Sequence, residues 1–147
     1  MGPNPSSYRV YLGRYLTWKK SHHHAIYVET EAAKGEGMIY HVVGNLLTGM
    51  ELGFGAALDP LRSTTGVSKQ HLGWITKENY HLMKAVCSMI PPPTAQMALD
   101  GTKLDLSQPI RHCQHWVAEA IDALKTGGLL DPLGPTDDPT IQLRKDD

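Results

Sequence analysis

Cysteine is scarce in this chain: only Cys87 and Cys113 occur among its 147 residues, too few for the disulfide scaffold that holds small secreted domains together. Both read as free thiols, which points to a cytoplasmic location. Long apolar runs are missing too. No stretch approaches the roughly 20 apolar residues that a membrane-spanning helix requires, so no membrane span is expected. The opening Met1-Gly2-Pro3-Asn4-Pro5-Ser6 has neither the basic residues nor the apolar centre of a signal peptide. Charge of one sign is lacking as well. The 14 Lys and Arg stand against 15 Asp and Glu for a net charge of -1, and they form no basic stripe interleaved with aromatics, which argues against nucleic acid as a partner.

What remains fits one domain, because 147 residues are enough to bury a core of their own. Residues 1–7 read as a flexible arm, 8–130 as the domain and 131–147, with Pro132, Pro135 and Pro139, as an extended or disordered tail. Alternating β-branched and aromatic residues predict a strand at Tyr8-Arg9-Val10-Tyr11-Leu12, followed by a connection over 13–21. Two further strands, His22 to Glu29 and Met38 to Gly44, flank a polar stretch and form a hairpin. With Val28 opposite Gly37, His24 faces His41 across the pair. A slip of one residue would send the two imidazoles to opposite faces. In that hairpin His22 and His23 read as solvent-facing or loop residues.

Residues 45–70, broken by Gly49, Gly53, Gly55 and Gly66, read as a long loop with at most a short strand at Leu52-Gly53-Phe54. Part of that loop is a candidate cover for a site, the alternative being an ordinary variable surface loop. Another strand is expected at Leu72 to Ile75. Thr76 then caps a helix from Lys77 to about Met89, which buries Leu82, Met83, Val86, Cys87 and Ile90 and stops at Pro91-Pro92-Pro93.

The stretch with the sharpest chemistry is Gln108-Pro109-Ile110-Arg111-His112-Cys113-Gln114-His115-Trp116-Val117. Proline suits the first position of a helix, so the helix is expected from about Pro109, with Cys113 in its first turn. The unpaired N–H groups there, with Arg111, His112 and His115 alongside, favour a thiolate over a thiol. Cys113, Trp116, Val117, Ala120, Ile121 and Leu124 recur at helical spacing, so the sulfur lies on the inward face. Gly127 and Gly128 supply the stop. The competing reading makes Cys113 a small buried core residue, which is how free cysteine usually behaves.

A strand with His24-Ala25-Ile26-Tyr27-Val28, a second with Tyr40-His41-Val42, and then a helix opening His112-Cys113-Gln114-His115-Trp116-Val117 resemble the circularly permuted papain-like thiol enzymes. These are the permuted branch of the NlpC/P60 superfamily, with the lecithin:retinol acyltransferase-like and PPPDE-like proteins. The nearer resemblance is to a small uncharacterised fungal family that runs from a Val-Tyr-Leu strand through a histidine hairpin to a Cys-x-x-Trp-Val helix. The resemblance implies an α+β fold, a small antiparallel sheet packed against two helices. It implies Cys113 as nucleophile, His24 as general base and His41 as the group that orients the imidazole. Tyr11, Gln114 and the backbone N–H of Cys113 are the candidates for holding an oxyanion or substrate.

The chemistry expected from that set is thiol-dependent hydrolysis of an amide, isopeptide or thioester, transfer of the acyl group, or ring closure in the biosynthesis of a small molecule. The substrate would be a small-molecule or peptide-like acyl compound. A non-catalytic binding module on the same fold is the alternative. No cofactor is expected. The histidines and Cys113 could be assembled into a zinc site, but none of the paired spacings of a closed zinc site occurs.

Overall fold

In the computed structural model, residues 6–17, 22–134 and 141–144 are described. The strand expected near Tyr8 runs further, as β1 (Ser7–Leu16), and continues through part of the expected connection. β2 (His22–Glu31), a 3-10 turn (Ala32–Lys34) and β3 (Glu36–Asn45) make the hairpin, followed by β4 (Gly49–Leu58) and β5 (Gly66–Thr76). Two short strands, β6 (Asp131–Pro132) and β7 (Ile141–Leu143), both pair with β5. Part of the expected tail is therefore strand, and Ser7 belongs to β1 rather than to the arm, of which residues 1–5 lie outside the described residues. Among the described residues the sheet is antiparallel with seven strands, in the order β4-β3-β2-β1-β5-β6, with β7 also on β5.

The fold is α+β, with the helices on one side of this sheet. Thr76 caps as expected, its Oγ1 accepting from the Asn79 amide at 3.1 Å. The helix that follows is broken, however, into α1 (Lys77–Tyr80) and α2 (Met83–Ser88). The third helix, α3 (Cys113–Thr126), begins four residues after Pro109. Strand residues Val10, Ile26, Val28, Tyr40, Val42 and Ile75 meet Met83 and Cys87 of α2, and Trp116, Val117, Ala120 and Leu124 of α3, in one core. The i, i+4, i+8 stripe of α3 thus packs as its periodicity requires. Trp116 adds a fixed point by donating from Nε1 to the Ile90 carbonyl at 2.9 Å.

Two expectations about the sheet need correction. Residues 45–70 are mostly strand: β4 pairs with β3 along its whole length, from Glu36 opposite Leu58 to Asn45 opposite Gly49. Its alternation is large against small. Leu52 and Phe54 pack on the core, while Gly53 and Gly55 fall on the other face, so the glycines that suggest a loop mark a strand with one bare side.

The second correction is register. The observed pairs are Ile26 with Tyr40, Tyr27 with Ile39 and Val28 with Met38, one residue from the expected alignment. Burial decides it. Tyr40 and Val42 are buried while Val43 is exposed, so the even-numbered residues of β3 must face the core with Ile26 and Val28. A register shift between Val28 and Glu31 accommodates the turn, and Gly37 permits it, since a Cβ there would sit 2.0 Å from the Val28 carbonyl oxygen.

Candidate functional site

Cys113 is the first residue of α3 and is half-buried against the core. Its position is fixed by the chain before it. Gln96 clamps the backbone of Arg111 with two hydrogen bonds, its Oε1 accepting from the Arg111 amide at 2.6 Å and its Nε2 donating to the Arg111 carbonyl at 2.9 Å. That clamp, together with the extended His112 (φ -112, ψ 173), holds the segment after Pro109 out of the helix. His115 then reaches back, its Nδ1 accepting from the His112 amide at 2.8 Å in a capping arrangement. Arg111 pairs with Glu119 on the exposed side.

The opening turn is also tied to the sheet. Gln114 Nε2 donates to the His22 carbonyl at 2.9 Å, which sets the start of α3 against the start of β2. His24 stands two residues along that strand, on the face shared by Ile26 and Val28, which are core residues under the helix. Its cross-strand partner is Arg14, whose guanidinium donates to Gln70 Oε1 at 3.1 Å. Partial burial lowers the His24 pKa from its ordinary value, and the charges of Arg14, His22 and His23 add to that effect. The imidazole is therefore neutral near pH 7, the form that can accept a proton.

The structure separates other members of the expected set. His41 faces away from His24, because the register differs by one residue. Its ring partner is His23, with Nε2 of His23 and Nδ1 of His41 2.8 Å apart. His41 therefore does not orient His24, and His23 is not a solvent-facing residue. Tyr11 is likewise on the far face: it is buried, with the Lys69 Nζ 4.4 Å from its ring centroid, so it cannot reach an acyl group on Cys113. Gln114 stays beside Cys113, with its side-chain amide engaged at His22.

Residues 10–131 match the profile of DUF6540, described as a family of unknown function. The chain belongs to that family. Neither the curated proteins nor the solved structures give a match, so the DUF6540 chain has to be read from its own residues.

Three features of this DUF6540 domain escape sequence reading. Gln96 lies in an irregular segment with no pattern to mark it, yet it fixes the approach to α3. Arg14 becomes a neighbour of His24 only through strand pairing. On the face away from α3, Lys69 pairs with Asp59 at 2.6 Å and with Glu29 at 3.7 Å, all three with little exposure. Desolvation pushes the nearby Tyr15 hydroxyl up to about 12, with the Asp59 charge as a second cause. Among the described residues there is no group of three or more His, Cys, Asp or Glu side chains placed to hold a metal ion, and no helix is long and apolar enough to cross a membrane.

Proposed function

We propose that this protein carries out cysteine-dependent acyl chemistry, with Cys113 as nucleophile and His24 as general base. The observation that carries this reading is the Gln114 to His22 hydrogen bond, which sets the first turn of α3 on the strand and face that present His24. The order of the parts, histidine strand before cysteine helix, supports a likeness to the circularly permuted papain-like enzymes. The two free cysteines support a reducing, cytoplasmic setting.

In the proposed reaction His24 takes the Cys113 thiol proton as Sγ attacks the acyl carbon. The tetrahedral intermediate collapses to a thioester as the imidazolium gives that proton to the leaving amine, alcohol or thiol. Water or a second nucleophile, deprotonated by His24, then attacks the thioester and frees Sγ, and the proton returns to the thiolate. The Cys113 N–H, at the positive end of the helix, supports the oxyanion. Substrates of this class are peptide-like or small-molecule amides, esters and thioesters. A nucleophile within the acyl chain would give ring closure.

The test is the rate of Cys113 alkylation by iodoacetamide in Cys87→Ser protein, with and without His24→Ala. Fast alkylation at pH 7 that slows about tenfold without His24 supports the pair and directs a screen of acyl thioesters and amides. A slow thiol indifferent to His24 overturns the catalytic reading and leaves a binding module.

A further inference from the structure

The sheet face turned away from α3 holds a pocket of about 510 Å³, within the range of about 300–1,000 Å³ usual for small-molecule sites. Its walls include the rings of Tyr15, His23 and His41, the aliphatic Ile39 and Ala57, and hydroxyls such as that of Thr64. It lies apart from Cys113, with the sheet between them.

Three observations set its chemistry. The first is charge: among the described residues, no Asp, Glu, Lys or Arg lines it. A charged ligand would lose its hydration there without gaining an ionic partner from these residues. The second is space. β4 turns Gly53 and Gly55 toward this face, opposite His41 and Ile39. A Cβ on Gly55 would meet nothing within 4 Å, whereas the His41 ring already covers Gly53, its Cδ2 and Nε2 lying 3.3 Å from where a Cβ would stand. The open ground is therefore the strip from Gly55 to Ala57 beside the His41 ring, where a flat body can lie. The loop after β4 closes the other side and is anchored, the Leu16 amide donating to the Thr65 carbonyl at 2.8 Å and the Leu61 amide to Asp59 Oδ1 at 2.8 Å.

The third observation is the hydrogen bond between His23 Nε2 and His41 Nδ1. It uses one nitrogen of each neutral ring. Whichever ring donates, the two remaining nitrogens, His23 Nδ1 and His41 Nε2, comprise one N–H donor and one bare acceptor. Passing one proton along the shared bond, with the compensating shift at the outer nitrogens, exchanges the two roles. A hydroxyl group, which both donates and accepts, matches either state.

We propose that this pocket is a second binding site, independent of Cys113, for an uncharged planar aromatic ligand that bears a hydroxyl and meets the His23–His41 pair through it. Three probes of one shape but different charge test this on the full chain: 2-naphthol, 2-naphthoate and 2-naphthylmethylammonium. The readout is the imidazole nitrogen and carbon-bound proton signals of His23 and His41 by NMR at pH 7.5. Saturable shifts with 2-naphthol, at a Kd in the range of about 10 μM to 1 mM, and at least tenfold weaker binding of both charged probes are expected. Ala57→Trp, which fills the pocket from its β4 wall and leaves both histidines in the chain, is expected to weaken 2-naphthol at least tenfold. Should that variant misfold, Thr64→Trp on the exposed loop takes its place with the same expectation. Histidine signals unmoved by 2-naphthol, charged probes that bind equally well, or binding that survives the filled pocket would each overturn the proposal. Alkylation of Cys113, measured in parallel, is expected to be unchanged by 2-naphthol.

Discussion

His23 and His41 hold each other by a single ring-to-ring hydrogen bond of 2.8 Å, on the sheet face that Cys113 does not see. Loss of solvent pulls His41 down to about 4, with the neighbouring His23 adding to the shift, and desolvation lowers His23 as well. A histidine depressed in the folded state takes its proton first in the unfolded chain. Its contribution is therefore complete above pH 6.5 and is lost as pH falls toward 4. Urea unfolding at pH 7.5, 6.5, 5.5 and 4.5 is expected to show that loss. In His41→Leu the dependence flattens by on the order of 1–2 kcal/mol, a figure reduced for the partial exposure of the ring. An unchanged pH slope in the variant would remove His41 as its source.

The two thiols are expected to behave differently toward a disulfide reagent. Cys87 is fully buried and its thiol is pushed up to about 12 by desolvation, whereas Cys113 is half-exposed at a helix start. One thiol per chain reacts under native conditions and two react in denaturant. Loss of the native signal in Cys113→Ser, with retention in Cys87→Ser, identifies which.

Gln96 makes both of its bonds to one residue, Arg111. Gln96→Ala removes them together and leaves that backbone to water, at a cost of about 1–3 kcal/mol. Amide exchange in the first turn of α3 is expected to accelerate more than exchange in β1 or β5. Uniform acceleration would mean that the clamp acts on the whole domain rather than on the helix start.

Lys69→Met tests the ion cluster on the far face. Removing one member leaves Asp59 and Glu29 with an unbalanced charge at low exposure, and the expected loss is about 3–5 kcal/mol in a urea titration at pH 7.5. A loss below about 1 kcal/mol would show that water reaches the cluster.

How much of this was legible depended on whether a residue's role was set by its neighbours in the chain or by partners across the sheet. The α3 stripe Trp116, Val117, Ala120 and Leu124 packs as its spacing demands, and Thr76 caps where expected, because both are local properties. Pro109 fits a helix start equally well by local rules, but Gln96 holds the next residues extended, and nothing in the intervening sequence announces that clamp. The hairpin was legible and its register was not. That choice rests on whether Tyr40 and Val42 or Ile39 and Val43 are buried, and both pairs are apolar. β4 was hidden because its glycines read as loop until one face of the strand is known to stay bare.

β2 has consequences beyond either of its faces. Its residues alternate between them, so that His24 belongs to the cysteine side and His23 to the pocket side, within one strand hydrogen-bonded on both edges. With Ile26 and Val28 held in register by β3, deletion of one of the three consecutive histidines 22–24 would draw its neighbour into the vacated place and leave an imidazole on each side. Insertion of a different residue between His23 and His24 would instead strip one side of its imidazole, so this short run tolerates the loss of a residue better than a gain.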